Sequence, residues 1–135
     1  MTLLAGIVVL ACGLCLIGFT CIVFVKPAPA KRFLMSFASS ARAHYVEQAC
    51  RLLFGASLVV LSSTMWQTNM FRVIGWAIVI SSLALLLMPW RWHHRFGKRV
   101  LPTVVRHMTL FAVGVFVFGG LLLYGVFFGG SRGAP

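Results

Sequence analysis

The chain has almost no negative charge. Its 135 residues hold one carboxylate side chain, Glu47, against twelve lysines and arginines. That shortage removes whole classes of chemistry. Acid–base work by paired carboxylates needs a second acid, and a hard-cation site needs several oxygen ligands. There is also no glycine-rich phosphate loop, no nucleophile elbow and no zinc-helix motif. The sequence therefore reads as a protein without catalytic machinery, cofactor or metal of its own. Charge of either sign is scarce too, at 10% of residues, where a soluble domain carries about 25%.

Cysteine is present but poorly placed for chemistry. Cys12, Cys15 and Cys21 lie inside the first apolar run, and Cys50 follows later. Cys12-Gly13-Leu14-Cys15 has redox-motif spacing, yet that chemistry needs a stabilised thiolate near water. In lipid these thiols act as small hydrophobes.

What the chain does have is hydrocarbon. Hydrophobic residues make up 61% of it and the mean hydropathy is +1.00. The expected fold class is an all-α integral membrane protein, one transmembrane domain over residues 1–135. Four antiparallel spans form its bundle, near 3–25, 43–66, 73–90 and 104–128, with a short amphipathic interfacial helix between the first two. The first span is long enough for the roughly 30 Å hydrocarbon core. It lacks the basic start of a cleaved signal peptide, so it is expected to remain as a helix.

Lys26-Pro27-Ala28-Pro29 breaks that helix, since proline lacks the backbone donor. Phe33, Leu34, Phe37 and Ala41 then recur at helical spacing between polar residues, the mark of a helix at headgroup level. The second span has the shortest apolar core. Glu47 and Arg51 stand four apart at its entry, in the favoured order for a helical ion pair. Small residues mark expected contact faces. These are Ala11, Cys15 and Gly18 in the first span, and Ala77, Ser81 and Ala84 in the third. In the fourth, Gly114 and Gly125 share one face, with Ala112 and Gly119 on another. Ser81 and Ser82 have hydroxyls to bond across helices or to their own turn.

Residues 88–107 punctuate the chain. Met88-Pro89-Trp90-Arg91-Trp92-His93-His94-Arg95 and its continuation hold five of the twelve basic residues. Each Lys or Arg at a bilayer centre costs roughly 2.5–3.5 kcal/mol, so this stretch is expected to be a loop. Pro89 closes the third span, and Pro102 suits the first turn of the fourth.

Charge then sets orientation. Lys26, Lys31, Arg32, Arg42 and Arg51 share one side with Arg91, Arg95, Lys98, Arg99 and Arg106, leaving Arg72 and Arg132 on the other. The positive-inside rule makes the richer side cytoplasmic. The expected place is a bacterial inner membrane, with both termini periplasmic. Tyr45, Trp90 and Trp92 form the inner aromatic belt, and Trp66, Trp76 and Tyr124 the outer. The basic face, chiefly Lys31, Arg32, Arg42, Arg91, Arg95, Lys98, Arg99 and Arg106, suits anionic lipid headgroups. Nucleic acid is not an expected partner, because the basic residues cluster in the segments between apolar runs, the pattern of orientation signals and lipid headgroup contacts.

His44, His93, His94 and His107 also fall at that end. Haem needs one histidine from each of two helices, which points to His44 and His107, although no fixed spacing motif supports the pair. Three roles follow from the sequence. The first is an accessory, assembly or anchor subunit, partnered by another membrane protein or by itself. The alternatives are a small transporter or channel working as an oligomer, and a haem or quinone anchor.

Overall fold

The computed structural model describes residues 1–37 and 40–129. Six helices run in order: α1 Thr2–Val25, α2 Pro27–Phe37, α3 Ala41–Leu61, α4 Thr68–Leu87, α5 Trp90–Arg106 and α6 Met108–Gly129. A 3₁₀ turn, Ser62–Thr64, extends α3. The α1, α4 and α6 helices, together with α3 and its 3₁₀ extension, are long and apolar enough to cross a membrane. The protein is a four-span helical bundle.

The amphipathic helix between the first two spans is present, and it starts earlier than expected. Pro27 and Pro29 do not precede α2 but form its first turn, where a missing N–H breaks no helical bond. Ser40 caps α3, its side chain accepting from the Ala43 N–H at 3.1 Å. The Ala38 and Ser39 positions, like residues 130–135 with Arg132, lie outside the described residues.

The largest departure is residues 88–107. They do connect two spans, as expected, but as a helix rather than an irregular loop. They form α5, a second amphipathic helix with Pro102 inside its last two turns. Basic and apolar residues recur here with helical period, so a helix separates them onto two faces. A proline near a helix end forfeits one backbone bond without ending the helix. The fourth span consequently begins at Met108 rather than 104; Arg106 ends α5 and His107 is the junction, so neither lies in the span's first turns. The third span ends at Leu87, because Pro89 disfavours helical geometry in the residue before it.

Packing follows two close pairs. α1 lies against α6 and α3 against α4, with α1 and α3 joining the pairs. Both close pairs are antiparallel and meet at glycines. A Cβ on Gly75 would lie 3.0 Å from the Gly55 carbonyl oxygen, and one on Gly119 would lie 3.2 Å from that of Gly13. Ala5, Val9, Leu58, Leu61, Phe71 and Leu122 fill the space between helices in one half of the bundle. Val23, Ala30, Met108 and Ala112 fill it at the other end, tying α2 to α1 and α6. Large apolar side chains such as Leu3, Ile7, Leu14, Val73, Ile80, Leu110 and Phe127 point outward, as lipid-facing surfaces require.

The seams within the bundle run along other lines than the small-residue faces. Ala11, Cys15 and Gly18 are exposed, as are Ala77, Ser81 and Ala84. In α1 the buried line is Ala5, Val9, Gly13, Thr20 and Val23 instead, and in α4 it is Phe71, Gly75 and Ser82. In α6, Ala112, Gly119 and Gly125 share the buried face, while Gly114 faces open space. Within the bundle the closest approaches fall where glycine faces glycine, Gly55 with Gly75 and Gly13 with Gly119.

Candidate functional site

α2 and α5 share one end of the bundle, since each connects two spans there. That end concentrates the positive charge. Lys31 and Arg32 project from α2, Arg42 from the start of α3, and Arg91, Arg95, Lys98, Arg99 and Arg106 from α5; all eight are exposed. The only carboxylate is engaged elsewhere. Glu47 accepts from the Arg51 guanidinium at 3.3 Å, with side-chain exposures of 25% and 43%, so none is left for the eight.

α5 divides its surface sharply. Trp92, Phe96 and Val100, four apart, form an exposed apolar stripe, and Arg95 and Arg99 flank it in a groove beside Trp92 and Phe96. Indole and phenyl rings favour the depth where headgroups meet hydrocarbon. The opposite flank of α5 looks back to α2. Between the two helices lies a cleft of about 660 Å³, with Lys31, Lys98 and Arg106 at its edge. Its wall is apolar, formed by Met35, Leu101, Pro102 and Val105, and His94 stands beside them. Sequence reasoning assigned these cations to one face but did not find the cleft, which exists only because 88–107 is helical.

Beneath this end the bundle buries polar side chains. Thr20 donates to the Leu16 carbonyl at 3.0 Å and shares a 3.2 Å contact with the Ala112 carbonyl of α6. His44 and Gln48 are wholly buried one turn apart on α3, and Ser82 is wholly buried on α4. Among the described residues, neither the Gln48 amide nor the Ser82 hydroxyl has a hydrogen-bond partner. Ser81, by contrast, bonds back to Ile78 at 3.0 Å. Gln48 and Ser82 drew no functional reading from the sequence, because burial of a polar residue depends on which face the bundle selects.

His44 and His107, the pair the sequence points to, do not share one environment. His44 is interior and edge-on to the Tyr45 ring at 5.3 Å between centroids, while His107 is exposed at the α5–α6 junction. No group of three or more His, Cys, Asp or Glu with metal-site geometry occurs among the described residues. At the opposite end Trp66 meets Tyr124 edge-to-face at 5.6 Å, and Tyr124 stacks on Phe128 at 4.8 Å. Trp76 is half exposed on α4. The side chains of Phe37, Trp90 and His93 lie outside the described set.

Comparison with protein-family models, curated proteins and solved structures returned no match. The functional reading therefore rests on the geometry.

Proposed function

We propose that this chain is an accessory, assembly or anchor subunit of a bacterial inner membrane, with no catalytic machinery of its own. It acts through helix contacts and a basic cytoplasmic face. The observation that carries this is the uncovered small-residue face of α1. Ala11, Cys15 and Gly18 are all exposed, and a Cβ added at Gly18 would meet nothing within 4 Å. Small side chains let another helix approach closely in lipid, where packing rather than water drives association. The bundle leaves that face unused.

Photo-crosslinking tests it. A photoreactive residue at Ala11 or Gly18 should give a discrete protein adduct, and one at outward Leu14 should give lipid adducts. Lipid adducts alone at all three sites would sink the reading. An adduct with a second copy would favour the oligomeric transporter or channel. That second reading draws on Gln48 and Ser82, since unpaired polar groups are costly in a span and mark pathways. Solute flux into proteoliposomes decides it.

Orientation belongs to the same proposal. The ten-to-two distribution of basic residues supports a cytoplasmic α2/α5 end. In a cysteine-free background, a cysteine at Gly97 should label from the cytoplasm and one at Ser131 from the periplasm. The reverse pattern would invert the topology.

A further inference from the structure

The geometry points to a binding site for a single anionic phospholipid in the cleft between α2 and α5, with the phosphate held by Lys31, Lys98 and Arg106 and an acyl chain laid on Met35, Leu101, Pro102 and Val105. Three observations carry this. The cations come from two helices far apart in sequence and meet at the edge of one cleft. The only side-chain carboxylate is paired with Arg51, so the three cations have no side-chain counterion of their own. The wall below them is apolar, and the cleft, at about 660 Å³, accommodates a headgroup and part of a chain.

Charge and apolar surface side by side select an amphiphile over a soluble anion. A free phosphate would satisfy the cations but leave the wall bare, and a neutral lipid would do the reverse. The position agrees, since both helices connect spans at the same end and α5 carries exposed Trp92 and Phe96 on its other flank. A bound phospholipid would also bridge α2 and α5, which touch each other only sparingly. Pro102 contributes twice. Its ring forms part of the wall, and its missing N–H leaves the Lys98 carbonyl without a helical donor, an added acceptor for a headgroup hydroxyl. The site requires only a membrane location, so it stands or falls separately from the accessory role.

The test is native mass spectrometry of the full-length chain in mild detergent, titrated with phosphatidylglycerol. The site variant is K31Q/K98Q/R106Q. The control is K26Q/R91Q/R99Q, which loses the same charge outside the cleft. Wild type and control should each retain one phosphatidylglycerol. The site variant should bind it roughly a hundredfold more weakly, since each cation near an anionic lipid contributes roughly fivefold. A second variant, Val105→Trp, fills the cleft with all charges kept, and should also lose the retained lipid. Equal weakening of site variant and control would reduce the effect to general surface charge and overturn the proposal. So would equal retention of phosphatidylcholine, or displacement of the lipid by inorganic phosphate at comparable concentration.

Discussion

The middle of the bundle and its α2/α5 end are built from the same helices on opposite principles. In the middle, backbones meet. Gly55 faces Gly75 and Gly13 faces Gly119, with carbonyl oxygens where side chains would otherwise stand. At the α2/α5 end the seams give way to buried polar residues, to exposed cations and to a cleft. The first arrangement leaves little room for adjustment, least where backbone faces backbone. The second has room, and among the described residues the Gln48 amide and the Ser82 hydroxyl there have no hydrogen-bond partner. A small membrane protein with few charges has thus gathered most of its exposed cations at one end, beside its buried polar layer.

The comparison breaks most readily at the glycines. A Cβ on Gly75 would lie 2.7 Å from a Val59 methyl and 3.0 Å from both the Gly55 oxygen and the Val59 nitrogen. Two of those neighbours are backbone and cannot rotate away. Gly75→Ala should therefore cost about 1–3 kcal/mol, the range for overpacking. Gly13→Ala meets chiefly the Leu123 side chain, at 3.0 Å, and should cost less because that side chain can shift. Gly114→Ala meets nothing within 4 Å and should be neutral or stabilising, given alanine's advantage of up to about 1 kcal/mol in a helix. Denaturant unfolding in mixed micelles should rank the three in that order. If Gly75→Ala is as stable as Gly114→Ala, the close seam between α3 and α4 is not what holds the bundle.

How much of this was legible beforehand depends on what each feature needs. The spans were visible because length and apolarity alone decide them: the uncharged run after Thr2 reads as a helix in any context. Contact faces were not visible. The first span offers both Ala11–Cys15–Gly18 and the line through Gly13, and only the partner decides between them. Gly119 opposite makes Gly13 the closer fit. Residues 88–107 carried a helical signal in Trp92, Phe96 and Val100 at spacings of four. Pro102 obscured it, because a proline reads equally as the opening of the next helix. The cleft was the least accessible, since it depends on α5 being a helix and on Lys31 lying opposite.

The buried polar layer gives a sharper contrast, with an effect of opposite sign. Gln48 is wholly buried, and its amide has no partner among the described residues. If the α2/α5 end were built only for stability, Gln48→Met would be an improvement. Removing an unsatisfied buried polar group recovers about 1–3 kcal/mol of desolvation cost. Unfolding in micelles should show that gain. The same variant also separates functions: unchanged cellular activity fits the accessory role, and lost activity in a more stable protein fits transport through the polar layer.

The smallest expected effect belongs to the side-chain ion pair between Glu47 and Arg51. Glu47 and Arg51 are one helical turn apart, 3.3 Å between charged atoms, and both are partly exposed. Such a pair contributes only about 0.3–0.5 kcal/mol, because solvent screens it and two side chains must be held still. Glu47→Gln keeps the shape and a hydrogen-bond acceptor, so stability should fall by no more than that amount. Arg51 would be freed to join the basic face, raising the formal net charge from +11 to +12. With one further cation at that end, adsorption to anionic vesicles should rise roughly fivefold at low salt and converge with wild type as salt shortens the screening length. Vesicle sedimentation of the detergent-solubilised protein at two salt concentrations measures this. An unchanged adsorption would mean that Arg51 faces the bundle and not the headgroups. Complete loss of cellular function at normal abundance would instead make Glu47 a working carboxylate, as proton coupling requires, and the transporter reading would displace the accessory one.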